Sequence, residues 1–168
     1  MQACRICLPS SHGSGTEGMD PLQIMLIERA CERLSHAWAR ALDFNDQDHF
    51  LDLFTPDGVL ELDGVHRGTE ALARYVAARP RGLRLRHTLG NHHFEVLAPD
   101  LVRGIAYVTR WEADSTGLGP DTPARLDRPV AMGHSQDRYR LDGEGWRLEA
   151  RILRWAMRRP GSGSSGGR

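Results

Sequence analysis

Residues 83–98, LRLRHTLGNHHFEVLA, are the stretch of the chain that decides the fold. Apolar and polar residues alternate along it, and a period of two predicts a β-strand with one buried face. The links at Pro99-Asp100 and in LDGEG (141–145) are short, which predicts antiparallel neighbours on either side of them. Three further stretches show the same alternation, at residues 101–113, 130–141 and 145–157. We therefore expect the C-terminal half of the chain to form one sheet.

Helical patterns precede these strands. Asp20 and Pro21 form an N-cap followed by proline at the first helical position. Apolar residues then recur every three or four positions as far as Leu42, which predicts a long amphipathic helix. Residues 48–58, DHFLDLFTPDG, predict a short second helix that ends at Pro56 and is followed by a turn.

The segment between the second helix and the sheet predicts a hairpin and a third helix. Asp63-Gly64 is a strong hairpin signal, and residues 69–79, TEALARYVAAR, are helical in pattern. Helices on one side of a curved antiparallel sheet predict an α+β half-barrel, a cone of sheet around the long N-terminal helix. We expect this domain to span residues 20–158, between a flexible leader (1–19) and a flexible Gly/Ser tail (159–168).

Composition narrows the class of partner. The chain has 168 residues, with 22 basic and 22 acidic side chains and a net charge of zero. Bulk electrostatics therefore do not recruit nucleic acid or an anionic membrane. There is no apolar run near the roughly 20 residues needed to span a bilayer, and no apolar stretch typical of a secretory signal. These features predict a cytoplasmic protein whose partner is neutral or is recognised locally.

The cysteines and histidines are not expected to bind a metal ion, and no cofactor is expected. Cys4 and Cys7 form a C-x-x-C, which is compatible with metal binding or redox chemistry, although a disordered leader is the preferred interpretation. His92 and His93 are adjacent on a strand and so should face opposite sides of it. The remaining candidates, His36, His49 and His66, are expected at the surface or rim of the domain.

Asp43 and His87 are the residues most suggestive of chemistry. Asp43 ends the predicted first helix, and His87 lies on the first long strand. A carboxylate bound to one ring nitrogen of an imidazole fixes the tautomer and leaves the other nitrogen free to accept a proton. The pair would be a proton-transfer dyad if the fold brings it together. The alternatives are that Asp43 terminates the helix and that His87 satisfies a hydrogen bond in the core.

Several short motifs follow one another in a recognisable order. They are LFTPDG, the G-x-x-x-G-x-E-A-L string at residues 64–72, the R-H-x-x-x-N string at residues 86–91, and G-W-R-L-x-x-R at residues 145–151. In this order, over residues 22–157, the chain resembles the nuclear transport factor 2-like superfamily, and specifically its SnoaL-like branch. The resemblance implies a cone of sheet that encloses an apolar pocket, and an oligomer, a homodimer or a homotrimer, formed through the sheet.

The resemblance also implies roles for individual residues. Dehydrochlorinases and dehydratases of this superfamily have an aspartate late in the first helix and a histidine on the strand after the third, where Asp43 and His87 stand. Asn91 should lie on the same strand face as His87 by the period of two, and it matches the dehydrochlorinase pattern. Other residues expected to bind substrate are Trp38, Tyr107, His134 and Arg138.

Two functions of different classes follow from the resemblance. The first is a cofactor-free dehydratase, cyclase or isomerase that acts on a hydrophobic carbonyl compound such as a polyketide or terpenoid. The second is a role without catalysis, either as the small (beta) subunit of a ring-hydroxylating dioxygenase or as a ligand-binding module. The relative position of Asp43 and His87 distinguishes them, because an aspartate that points to solvent would exclude the dyad.

Overall fold

The computed structural model describes residue 16, residues 18–80 and residues 82–160. Its elements follow in the order α1 (Pro21–Asp43), α2 (Gln47–Asp52), β1 (Phe54–Glu61), β2 (Val65–Arg67), α3 (Gly68–Ala77), β3 (Leu83–Ala98), β4 (Leu101–Asp114), β5 (Ala131–Asp142) and β6 (Gly145–Arg158). The strands form one open sheet in the order β2-β1-β6-β5-β4-β3. The predicted α+β half-barrel is confirmed. Cys4, Cys7 and the Gly/Ser segment 161–168 lie outside the described residues.

Helix α1 lies against the inner face of this sheet. Its first turn is capped as predicted, since Asp20 Oδ1 accepts a hydrogen bond from the Leu22 amide over 3.1 Å. One stripe of the helix is buried and packs on the apolar residues that the strands turn inward. The inward residues of the strands are Val96, Val102, Val108, Tyr139, Leu148 and Leu153. Within the described part of the chain, no helix is both long and apolar enough to cross a membrane.

The region around Pro56 differs from the prediction. The expected turn at residues 56–58 lies inside strand β1, which begins at Phe54. The register of β1 on β6 shifts between Phe54 and Val59, so Pro56 falls in an irregular stretch where its missing N–H costs no ladder bond. Strand β1 runs parallel to β6, so the sheet is mixed, whereas the strands joined by the two short links, β3 with β4 and β5 with β6, are antiparallel as predicted. The Asp63-Gly64 turn is confirmed, and both residues have positive φ (53° and 143°).

An ion pair lies inside the core, between β5 and β6. Arg151 and Asp137 have side chains that are 0% and 1% exposed. The guanidinium donates to both carboxylate oxygens, Nε to Oδ1 over 2.9 Å and Nη2 to Oδ2 over 2.7 Å. Arg151 also donates to Ser35 Oγ of α1 over 2.7 Å, and Tyr139 donates its hydroxyl to Asp137 over 2.8 Å. The network therefore connects α1 to two central strands by polar contacts.

Candidate active site

Asp43 and His87 meet between the end of α1 and the beginning of β3. The Nδ1 atom of His87 lies 2.6 Å from Oδ1 of Asp43. The backbone N–H of His87 donates to the other carboxylate oxygen over 2.9 Å. Two bonds from one residue to one carboxylate fix both the position and the rotation of the imidazole. Residues 44 positions apart in the sequence are thus brought into direct contact.

Burial makes this contact electrostatically strong. The side chain of His87 is 3% exposed and that of Asp43 is 7% exposed. An ionised carboxylate accepts only, so a neutral ring in this contact carries its proton on Nδ1 and has its lone pair on Nε2. Among the described residues, Nε2 has no hydrogen-bond partner. The pair therefore has the arrangement that a general base requires, with one nitrogen held and one nitrogen available.

Trp38, which the sequence predicts to bind substrate, lies beside the pair in the core. The centres of its ring and of the His87 ring are 5.6 Å apart. Arg151 Cζ lies 4.5 Å from the centre of the Trp38 ring, so the indole lies between the candidate base and the buried ion pair. The Trp38 Nε1 atom is buried and has no hydrogen-bond partner. This N–H is a donor that a bound ligand can use.

The other substrate-binding candidates do not lie with the pair. Tyr107 and Arg138 are exposed, and they alternate with buried residues on β4 and β5. His134 is paired with Tyr107 across the two strands. Because side chains alternate along a strand, all three project from the outer face of the sheet, opposite α1. They are not part of the arrangement around His87.

Asn91 is displaced from the face of His87 by a β-bulge. The register of β3 on β4 shifts between Gly90 and His93, so two residues, Asn91 and His92, stand opposite one residue of β4. Asn91 has a φ of 49° and is exposed. The bulge changes which residues point inward, and His92 takes the inner face. The expected alternation from His87 to Asn91 is therefore wrong.

Arg110 was not among the predicted site residues. It is the residue directly opposite His87 on β4, so the two side chains leave the sheet on the same face. Its side chain is 12% exposed and lies between two carboxylates, Glu112 (Nε to Oε1, 3.0 Å) and Asp63 (Nη1 to Oδ2, 3.8 Å). The alternation of buried and outward residues that begins at Val102 predicts that the side chain of Arg110 lies on the inner face of the sheet. Only the register of β4 on β3 places Arg110 beside His87.

Further polar side chains from α3 and β2 lie on the same side of the domain. Burial raises the pKa of Tyr75 to about 12, so its hydroxyl stays protonated at neutral pH. The Tyr75 and His66 rings are 4.6 Å apart, and His66 Nε2 is buried without a hydrogen-bond partner. Arg79 donates to the carbonyl of Leu42 over 2.8 Å, and burial lowers its pKa. These groups add donors and positive charge close to the end of α1.

Comparison with known families identifies the domain. The family model described as a SnoaL-like domain matches residues 23–152. A search with the sequence found no curated protein that matches it significantly. The resemblance stated from the sequence motifs is therefore confirmed at the level of the family.

Solved structures agree with this fold. A Mycobacterium tuberculosis protein of unknown function is 27% identical, with a TM-score of 0.68 over 82% of this chain and 77% of that chain. A hexachlorocyclohexane dehydrochlorinase from Novosphingobium barchaimii is 17% identical, with a TM-score of 0.69 over 86% and 96%. A beta subunit assigned to an aromatic-ring-hydroxylating dioxygenase of Novosphingobium aromaticivorans is 19% identical, with a TM-score of 0.66 over 81% and 93%. The fold thus occurs both in a dehydrochlorinase and in a dioxygenase subunit.

Proposed function

Because the chain belongs to the SnoaL-like domain family, we propose that it is a cofactor-independent proton-transfer enzyme, a dehydratase, cyclase or isomerase. His87 is the general base, and Asp43 holds its tautomer and orientation. The observation that carries this proposal is the 2.6 Å contact between their buried side chains. The substrate in this proposal is a small hydrophobic molecule with a carbonyl group, such as a polyketide or terpenoid, which is what the resemblance to this family implies.

The reaction begins at a C–H bond next to the carbonyl of the substrate. Nε2 of His87 takes the proton, and the electron pair of the broken bond moves onto the carbonyl oxygen to give an enolate. Asp43 stabilises the imidazolium as it forms. If the enolate loses a β-hydroxyl group, to which the imidazolium returns the proton, the reaction is a dehydration. If the carbanion attacks a second carbonyl, the reaction is a cyclisation. If the proton returns to another carbon, the reaction is an isomerisation. All three share the first step.

Arg110 is suited to stabilise the negative charge of the enolate. It starts from the backbone position opposite His87, and its charge is largely removed from solvent. A cation fixed before the reaction stabilises developing negative charge without reorganisation of water. The contacts with Glu112 and Asp63 hold the guanidinium in place and also reduce its net field. We therefore assign Arg110 an electrostatic role and leave the proton transfer to His87.

Arg110→Met is expected to lower kcat by about ten- to a hundredfold while KM changes little. We expect a smaller loss of kcat than removal of a dedicated oxyanion donor would cause, because Glu112 and Asp63 already partly neutralise the charge of this guanidinium. Arg103→Met is the matched control, since Arg103 lies on the same strand with its side chain 44% exposed. Steady-state kinetics on both variants test the assignment, and equal kcat values for the two would remove Arg110 from the mechanism.

A direct test of the proposed function uses the step that the three reactions have in common. The protein is incubated in D₂O with a panel of hydrophobic β-hydroxy ketones and polyketide-like diketones, and deuterium uptake and new products are followed by NMR and mass spectrometry. We expect accelerated exchange or conversion of at least one class by the wild type and none above background by His87→Gln. If the wild type and the variant behave alike with every compound, the enzyme proposal fails.

The alternative is a role without catalysis, as a dioxygenase beta subunit or a ligand-binding module. The similarity to a beta subunit assigned to a dioxygenase favours it, because that structure has the same fold at 19% identity. Under this alternative Asp43 and His87 hold α1 on β3 and catalyse nothing. Binding of panel compounds without exchange would support the ligand-binding module.

Homo-oligomer formation stays a prediction. The outer face of the sheet is where it would occur, since Tyr107 is 59% exposed there. A groove of about 310 Å³ crosses the same face, and its lining includes Leu97, Ile105 and Ile152. Apolar surface of this kind on the side opposite α1 suits contact with a second copy.

A further inference from the structure

A second group of chemically active side chains lies between α1 and β3, away from Asp43 and His87. Glu32 and His36 are four residues apart on α1 and project from the same side of the helix. His92 reaches them from the bulge of β3. The ligand atoms of the three side chains all lie within 4.8 Å of one another. No metal site was expected from the sequence. His36 and His92 are 56 residues apart, and no motif marks the bulge that brings His92 to the helix.

The bulge aims His92 at the helix. Nε2 of His92 is buried and has no hydrogen-bond partner. The ring packs on Phe94, with centres 5.9 Å apart, and meets the edge of the His36 ring at 5.1 Å. Burial of the ring, aided by the neighbouring His36, lowers the pKa of His92. A buried nitrogen that lacks a partner, on a ring that lies with two further ligand groups, indicates a missing ligand.

Glu32 supplies the negative charge of the group. Arg29 donates to its Oε2, and this bond lowers the pKa of the carboxyl group. Within the described part of the chain, the other oxygen, Oε1, has no hydrogen-bond partner. Two imidazoles and one carboxylate are a ligand set that borderline divalent ions such as Zn²⁺ prefer.

We propose that Glu32, His36 and His92 bind a divalent transition-metal ion, with Zn²⁺ as the reference case, and that water completes the coordination. Bonds of about 2.0–2.1 Å at tetrahedral angles place ligand atoms roughly 3.4 Å apart. The ligand atoms therefore have to approach one another by up to about 1.4 Å from their present spacing. His36 is exposed, so rotation of its side chain can supply this movement at little cost.

The bound ion would connect α1 to β3 at a second point, in addition to the contact between Asp43 and His87. Asp43 and His36 are seven residues apart, which is about 10 Å along the helix. The metal site is therefore separate from the candidate base, and its expected effect is on the stability of the α1–β3 contact. An ion that binds only the folded chain stabilises it by RT ln(1 + [L]/Kd), so the melting temperature rises with the logarithm of the ion's excess over Kd.

The test is a titration of the chelator-treated full chain with Zn²⁺, followed by calorimetry and thermal unfolding. All proteins carry Cys4→Ser and Cys7→Ser, so that the C-x-x-C cannot bind the ion. We expect one ion per chain and a raised Tm. His36→Ala should increase Kd at least about tenfold and abolish the rise in Tm, and Glu32→Gln should weaken binding in the same direction. His49→Ala, which removes an exposed histidine from α2, is the matched control and should bind as the parent does.

Co²⁺ binding gives an independent readout of the ligands. Nitrogen and oxygen ligands produce d–d absorption without the intense charge-transfer band of thiolate coordination. His36→Ala suits this experiment because alanine is a good helix former at an exposed helical position, so loss of the signal does not arise from unfolding. Equal Zn²⁺ affinity in the parent and in His36→Ala, or no binding by the parent at all, would overturn the proposal.

Discussion

His87→Gln is expected to lower kcat for proton abstraction by about a hundred- to ten-thousandfold, the usual contribution of a positioned general base. Glutamine keeps a polar side chain next to Asp43 but offers no basic nitrogen. The measurement is the initial rate of exchange or conversion with the best compound of the substrate panel, at saturating concentration. A denaturant titration of the same variant establishes that it is folded.

Asp43→Asn separates a catalytic dyad from a structural contact. The amide keeps the size of the carboxylate and can still bond to the ring, but it no longer stabilises an imidazolium and permits the other tautomer. We expect a loss of kcat that approaches that of His87→Gln, although the variant remains folded. Asp48→Asn, at an exposed position of α2, is the control and should leave kcat unchanged. Full activity of Asp43→Asn would show that the carboxylate serves only to hold β3.

Much of the arrangement that positions this pair was predictable from local patterns. The N-cap at Asp20, the stripe of apolar residues and the interruption after Asp43 are local signals, and they give α1 its correct limits. The alternation in residues 83–98 likewise gives β3. Local signals suffice here because helix caps and strand periodicity depend on near neighbours. The contact between Asp43 and His87 was inferred from the family resemblance, and the structure agrees with it.

Features that depend on strand register were not predictable. Arg110 stands beside His87 only because β3 and β4 pair in one particular register. The bulge at Asn91 and His92 reverses the inward side of β3, and a single sequence gives no sign of which strand holds the extra residue. Tyr107 and His134 were expected to bind substrate, and both lie on the outer face; for Tyr107 the alternation that begins at Val102 already indicates this face. Pairing between distant strands is a tertiary property.

Arg151→Met is expected to lower the free energy of unfolding by about 3–5 kcal/mol. The substitution is close in volume and apolar, so packing is largely preserved. It leaves the Asp137 carboxylate inside the core with a hydroxyl from Ser135 and another from Tyr139, and no cation. It also removes the bond to Ser35 and the contact with the face of Trp38. Urea titration of the wild type and the variant, with equal m-values, measures the change.

Two further variants identify which part of the network causes that loss. Arg154→Met removes an arginine three residues along the same strand whose partner is Glu61, but its side chain is 38% exposed, so we expect a change below about 1 kcal/mol. Arg151→Met combined with Asp137→Leu removes both buried charges and should recover most of the stability, since the uncompensated carboxylate is the costly species. Recovery would be incomplete because Ser35 and Tyr139 lose polar partners. If the double variant were as unstable as Arg151→Met alone, the loss would come from α1 docking through Ser35 and Trp38, and the ion pair itself would contribute little.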